Sequence, residues 1–205
     1  VLELAMGMDS DYEKAELLLE LADYSRDHES ARDLYLEAVS GIGSDYEKRR
    51  VLEGILMPRM ADEAFVDQVL RIAETLGSDY ERVELLIRMA DHAVAHDQTL
   101  SAYLAAVATV DSDYEARRAL SALPWHDGIS DQVCIELLDV VSRLDSDYEK
   151  AEFLLQYGEY FTKNEEVRAA FDLALDCIES DYDRQRVEAS FYRHTRKSGT
   201  GRQPY

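Results

Sequence analysis

The chain has 205 residues, of which 46% are hydrophobic and 32% are charged, and its formal net charge at pH 7 is -21. This acidity argues against nucleic-acid binding, because phosphate binding requires clustered Lys and Arg, and it disfavours docking on anionic lipid. No apolar run approaches the roughly 18 to 20 residues that cross a bilayer, so we expect no direct membrane insertion. A basic protein or peptide is compatible with this charge.

The tetrapeptide Ser-Asp-Tyr-Glu recurs every 34 residues along the chain. A fixed period of about 20 to 50 residues is typical of stacked repeat arrays, in which each unit buries its apolar face against its neighbours. The sequence therefore predicts a partial repeat at 1–9, full repeats at 10–43, 44–77, 78–111, 112–145 and 146–179, and a truncated repeat at 180–192. We expect residues 1–192 to form a single α-solenoid domain, followed by a basic flexible C-terminal tail at 193–205.

The chain opens in the middle of the repeat pattern. The apolar spacing that precedes every later Ser-Asp-Tyr is already present in Val1, Leu2, Leu4, Ala5 and Met8. We therefore expect the first residues to belong to the second helix of an earlier repeat in a longer protein.

Each repeat begins with the sequence of a helical capping box, in which a Ser hydroxyl accepts from the N3 amide and the N3 Glu side chain returns to the Ser amide. The Ser and acidic partners are Ser10 and Glu13, Ser44 and Glu47, Ser78 and Glu81, Ser112 and Glu115, Ser146 and Glu149, and Ser180 and Asp183. A first helix of about twelve residues is expected to follow each cap. Breaks at Pro58, and at Pro124 with Gly128, then separate it from a second helix in the even repeats.

The second helices are predicted to begin at residues that favour the N-cap position. These are Asp27, Asp62, Asp97, Ser130 and Asn164. Their apolar columns, such as Tyr35, Val69, Tyr103, Leu137 and Phe171, recur once per repeat. The sequence thus predicts an all-α fold, a right-handed α-solenoid of antiparallel two-helix repeats resembling tetratricopeptide or HEAT superhelices.

The sequence also has a longer period of 68 residues, which is twice the length of one repeat. The seventh position of each unit alternates as Glu16, Arg50, Glu84, Arg118, Glu152 and Arg186. First helices packed about 8–10 Å apart would let these side chains pair, so we interpret the column as a Glu-Arg ladder that sets register. A charge-striped recognition groove is the alternative interpretation.

A tyrosine occupies the first turn of every repeat: Tyr12, Tyr46, Tyr80, Tyr114, Tyr148 and Tyr182. We expect the rings to pack at the seams between repeats, because a position repeated in every unit usually serves the architecture. The alternative is that they form a binding stripe.

No catalytic, cofactor or metal site stands out in the sequence. His92 and His96 have the spacing of two ligands on one helix face, but Ala93 stands where a metallopeptidase helix needs Glu, and we expect two solvent-facing loop histidines. Cys134 and Cys177 lie in apolar segments and are interpreted as small buried hydrophobes. The candidate partner-binding residues vary between repeats: Met57, Arg59, His92, Trp125 and Tyr160.

The run Ser44-Asp45-Tyr46-Glu47-Lys48-Arg49-Arg50 and its counterpart beginning at Ser146 resemble the 34-residue two-helix tandem repeats of bacterial proteins. These include soluble regions attached to beta-lactam-sensor-type membrane metallopeptidases. The resemblance covers essentially the whole chain, and it carries over no peptidase role because the chain lacks the zinc-binding His-Glu-x-x-His. It is compatible with a cytoplasmic or an extracytoplasmic location.

From the pattern and the resemblance we expect a non-catalytic scaffold or sensor module that binds a protein or peptide. The alternative is a structural spacer or self-association rod of a larger protein.

Overall fold

The fold is all-α, as the periodicity predicts. The computed structural model describes residues 1–56, 62–125, 128–162 and 164–198, and every regular element within these ranges is helical. The chain divides into two compact units, Val1–Pro124 and Trp125–Tyr205. None of the helices within the described ranges combines the length and the apolar character that spanning a membrane requires.

Unit 1 contains eight helices within its described residues. They are α1 (Leu2–Met6), α2 (Asp11–Asp27), α3 (Glu29–Ser40), α4 (Asp45–Ile55), α5 (Glu63–Ala73), α6 (Asp79–Ala93), α7 (Asp97–Val107) and α8 (Asp113–Ala122). The first helices α2, α4, α6 and α8 pack one against the next, and so do the second helices α1, α3, α5 and α7. Because α2 also packs on α3 and α6 on α7, the unit consists of two layers of helices that share one core.

Unit 2 repeats this arrangement over a shorter stretch. Its elements are α9 (Asp131–Ser142), α10 (Asp147–Tyr157), a 3₁₀ helix (Gly158–Thr162), α11 (Glu165–Asp176) and α12 (Asp181–Ser198). Second helix α9 packs on α11, and first helix α10 packs on α12. The last helix continues past residue 192, where a flexible tail was predicted to begin, and residues 199–205 lie outside the described ranges.

The predicted caps of the first helices are confirmed. In each of α2, α4, α6, α8 and α10 the N-cap Ser hydroxyl accepts a hydrogen bond from the backbone N–H of the Glu three residues later. Asp62, Ser130 and Asn164 cap second helices as predicted. The other two predicted caps are displaced by one residue, since His28 and His96 occupy the N-cap positions of α3 and α7.

The second hydrogen bond of the predicted capping box, from the Ser N–H to the acidic side chain three residues later, is wrong for four repeats. The Ser N–H donates instead to the motif Asp of the preceding repeat, with N–O distances of 2.7–2.8 Å. The pairs are Ser44 with Asp11, Ser78 with Asp45, Ser112 with Asp79, and Ser180 with Asp147. A carboxylate that accepts from the amide of the next helix start links successive repeats directly.

The residue that directly follows the Ser-Asp-Tyr-Glu motif also has a role in the fold. Lys14, Arg82 and Lys150 are buried side chains whose cationic groups donate to carbonyl oxygens near the end of the second helix of the same repeat. These carbonyls have no partner inside their helix, and a cation near a helix C-terminus also offsets the helix dipole. In these three repeats the cation therefore closes the helical hairpin.

The column of second-helix residues predicted to be apolar lies in the core. Tyr35, Val69, Tyr103, Leu137 and Phe171 are each at most 2% exposed. The hydroxyls of Tyr35 and Tyr103 donate to the carbonyls of Val51 and Ala119 in the following first helix. Burial raises the pKa of both phenols.

In unit 1 the 68-residue alternation extends to the length of the first helices. The odd first helices α2 and α6 have 17 and 15 residues, whereas the even ones α4 and α8 have 11 and 10. Pro124 lies two residues beyond α8, where it restricts the backbone that precedes it; Pro58 lies outside the described residues.

Candidate functional site: the tyrosine ridge

The motif tyrosines of unit 1 form a row of exposed rings. Tyr12, Tyr46, Tyr80 and Tyr114 lie in the first turns of four first helices that pack side by side, and 52–59% of each residue is exposed. We call these four residues the tyrosine ridge. The predicted packing of the motif tyrosines at the seams is therefore not observed, and the alternative, that they form a binding stripe, stays a prediction.

The motif tyrosines of unit 2, Tyr148 and Tyr182, are likewise exposed, by 53% and 73%. Exposure of this aromatic position is thus a property of both units.

The other motif positions are occupied by contacts inside the fold. The Ser caps its helix, the Asp binds the amide of the next repeat, and the buried Lys or Arg binds carbonyls of its own second helix. The acidic fourth residue pairs with an arginine, as Glu47 does with Arg50. Tyrosine is the one motif residue that is exposed in all six repeats, so packing does not explain why every repeat carries it.

Arginine lies over the tyrosine rings of the even repeats. The guanidinium carbons of Arg49 and Arg50 are 5.5 and 5.8 Å from the centre of the Tyr46 ring. Arg117 lies 5.7 Å from the Tyr114 ring in the same way. These separations are within the range of a cation–π interaction.

The odd repeats lack this arrangement. Within the described residues no cationic group lies over Tyr12 or Tyr80, and the residues four positions further along their helices are Glu16 and Glu84 rather than Arg. Residues at i and i+4 are neighbours on a helix surface, so a carboxylate lies beside each open ring. The ridge thus alternates between rings with an internal cation and rings with an acidic neighbour.

Ion pairs join the first helices beneath the ridge, as the predicted Glu-Arg ladder requires. Arg50 bridges Glu16 of the preceding repeat at 2.9 Å and Glu47 of its own helix at 2.6 Å. The hydrogen bonds that Arg50 donates to Glu16 and Glu47 raise the pKa of its guanidinium. Arg118 bridges Glu84 and Glu115 in the same way, both at 2.6 Å.

A second arginine connects the first helices α4 and α6. Arg49 pairs with Glu53 at 2.8 Å and also with Glu81 of the following repeat. Burial lowers the pKa of Arg49, but its hydrogen bonds to these two carboxylates outweigh that effect and the pKa is raised overall. These pairs hold neighbouring first helices in register and so fix the spacing of the ridge.

Of the five partner-binding residues expected from sequence, the three that the structure describes are not exposed together. Met57 and Arg59 lie outside the described residues. His92 is only 7% exposed, because α6 continues to Ala93 and places it in the last helical turn instead of a loop. The expectation of two solvent-facing loop histidines is therefore wrong for His92, whereas His96 is exposed.

Trp125 and Tyr160 are brought together in unit 2. Their ring centroids are 5.8 Å apart, and Trp125 also lies 5.1 Å from Tyr157 and 5.6 Å from Phe161. Both Trp125 and Tyr160 are half-buried. The indole is thus part of an aromatic cluster within unit 2.

Chemistry-bearing side chains do not converge elsewhere in the described part of the chain. There, no three His, Cys, Asp or Glu side chains are grouped so that they could hold a metal ion. Cys134 is a free buried cysteine as expected, but Cys177 follows the end of α11 and is exposed.

Sequence reasoning missed two features of the ridge: the exposure of its tyrosines and the inter-repeat contact of the motif Asp. The available signal was the alternation of Arg and Glu four residues after each tyrosine, which marks that helix face as solvated.

Comparison with known proteins gives no match to a family model, to a curated protein or to a solved structure.

Proposed function

We propose that the chain is a non-catalytic interaction module that binds a protein or peptide along the tyrosine ridge. The observation that carries the proposal is that tyrosine is present at the first turn of every repeat and yet is about half exposed in each of the four repeats of unit 1. An exposed tyrosine contributes little to folding. In an interface it supplies a large amphipathic surface at a low cost in side-chain entropy, and Tyr is enriched at binding hot spots.

The repeat arrangement supports the same function. We propose that the repeats form a right-handed α-solenoid, supported by the unbroken 34-residue spacing of the motif and by the layered packing of first and second helices in each unit. Such arrays use an extended surface for binding rather than one deep pocket. Small-angle scattering tests this part of the proposal, because an elongated particle is expected and a compact one would contradict it.

The binding test is a comparison of variants with the complete chain. In the ridge variant Tyr12, Tyr46, Tyr80 and Tyr114 are all replaced by Ser. The control variant replaces two exposed residues that do not belong to the ridge: Tyr24, which is 57% exposed, and Leu173, which is 67% exposed.

Each protein is immobilised and incubated with an extract of the source cells, and the retained proteins are quantified by mass spectrometry. We expect a partner that binds the wild-type chain and the control equally and is lost with the ridge variant. Equal retention by the ridge variant would contradict the proposal. Circular dichroism controls for folding, since exposed substitutions are expected to change stability by at most about 0.5 kcal/mol each.

A further inference from the structure

In the even repeats the ring of the motif tyrosine is covered by an arginine side chain of the same repeat. Arg49 and Arg50 lie over Tyr46, and Arg117 lies over Tyr114. In the odd repeats the equivalents of Arg49 and Arg50 are Ala15 and Glu16 in the first repeat, and Val83 and Glu84 in the third. Ala15 and Val83 are fully buried in the core and cannot cover a ring.

The odd repeats therefore present an open aromatic ring beside a carboxylate. Glu16 and Glu84 each use Oε1 to accept from the arginine of the next repeat. Their Oε2 atoms accept no hydrogen bond from the described residues, and a carboxylate has acceptor capacity on both oxygens. A cation placed over Tyr12 or Tyr80 would meet a π face and a carboxylate oxygen together.

We infer that Tyr12 and Tyr80 are cation sites for a basic, extended peptide segment of a partner protein. The inference rests on the proposed binding function of the ridge and assigns its ligand class. Each site accepts one Arg or Lys side chain, in the way that Tyr46 and Tyr114 accept the chain's own arginines. The net charge of -21 favours the approach of such a segment.

The spacing of the two sites restricts the ligand further. Tyr12 and Tyr80 lie on α2 and α6, with α4 packed between them. Packed helices are about 8–10 Å apart, so the two rings are separated by roughly 16–20 Å. An extended chain covers about 3.3–3.6 Å per residue, so the two cationic side chains should be about five or six residues apart.

The test uses synthetic Gly-Ser peptides that carry two arginines. In one probe the arginines are about five residues apart, to match the two sites; in the second they are adjacent; in the third both are replaced by Glu. Binding to the full chain at low ionic strength is followed by NMR of isotope-labelled tyrosine rings. The site variants are Tyr12→Ser with Tyr80→Ser, and the matched control is Tyr46→Ser with Tyr114→Ser.

We expect the spaced probe to shift the ring signals of Tyr12 and Tyr80 and to bind more tightly than the adjacent probe. Loss of both odd tyrosines should weaken its binding about tenfold, whereas loss of both even tyrosines should change it less than about twofold. Equal affinity for both arginine probes, or equal weakening by the two variants, would reduce the effect to general charge attraction and overturn the inference.

The basic residues near the C-terminus are the competing occupant. A variant in which Arg193, Arg196, Lys197 and Arg202 become Gln tests this. If the ring signals of Tyr12 and Tyr80 change on neutralisation, the chain's own tail occupies the sites and the inference is wrong. If neither arginine peptide binds while a captured partner is still lost with the ridge variant, the assignment of a basic peptide as the ligand is wrong and the proposed binding function stands.

Discussion

Replacement of Asp45 by Ala should separate the link between repeats from ordinary helix capping. Asp45 is half-buried at the start of α4, and its Oδ2 accepts from the Ser78 N–H at 2.8 Å. Asp181 has the same motif position at the start of α12, is exposed, and accepts no side-chain hydrogen bond from the described residues. Asp181→Ala is therefore the matched control.

The expected free energies follow from what each change removes. Both substitutions delete a negative charge from a helix first turn, which costs about 0.3–1 kcal/mol. Only Asp45→Ala also removes a hydrogen bond to a charged acceptor, which contributes about 1.5–3 kcal/mol. We expect Asp45→Ala to lower the free energy of unfolding by about 2 kcal/mol more than Asp181→Ala, which for a chain of this size is a Tm difference of about 4–8 °C.

Urea unfolding followed by circular dichroism measures this difference, and native-state hydrogen exchange of the Ser78 amide localises it. The exchange of that amide should accelerate in Asp45→Ala and stay unchanged in Asp181→Ala. Equal losses of stability in the two variants, with unchanged exchange at Ser78, would refute the assignment of the motif Asp to the inter-repeat contact.

Three further changes test other contacts of the fold. Tyr103→Phe removes the hydrogen bond to the Ala119 carbonyl while keeping the packed ring, so we expect a loss of about 1 kcal/mol in urea unfolding; no loss would mean that burial alone accounts for this residue. Arg82→Met should lower the free energy of unfolding by about 2–4 kcal/mol, because it leaves the Thr109 carbonyl without its buried donor. An unchanged Tm in a thermal scan would contradict the role of Arg82 in closing the hairpin. Burial opposes ionisation of Asp147, but backbone hydrogen bonds lower its pKa overall from 3.8. Its contribution to the free energy of unfolding is therefore present above pH 3.8 and is lost as the pH falls below that value. The stability difference between wild type and Asp147→Ala should be constant above pH 3.8 and shrink below it, and a difference that stays constant at lower pH would be the contrary result.

The helical elements and the core could be predicted from sequence because their signals are local and repeated. Ser followed three residues later by Glu specified five helix starts, and apolar residues at helical spacing identified the column that includes Tyr35 and Tyr103. Helix ends were less predictable. The polar segment after Tyr24 remains helical to Asp27, because the sequence there contains no strong helix breaker.

The candidate site was harder to predict because its contacts join residues far apart in sequence. The bond from Ser78 to Asp45 and that from Lys14 to Gly41 span 33 and 27 residues, and no local pattern distinguishes them from helix-dipole or surface charges. Repetition alone also cannot separate an aromatic residue kept for packing from one kept for binding. The exposure of Tyr12, which argues against packing at the seams, depends on where the neighbouring helices lie.

The exposure of the tyrosine ridge is the central claim, and it can be measured with tyrosine-directed nitration mapped by mass spectrometry. The native chain carries its own reference, since Tyr35 and Tyr103 are fully buried while Tyr12, Tyr46, Tyr80 and Tyr114 are at least 52% exposed. The four ridge tyrosines should react at rates close to those in the denatured chain, with Tyr35 and Tyr103 strongly protected. Ridge tyrosines as protected as Tyr35 would contradict the account.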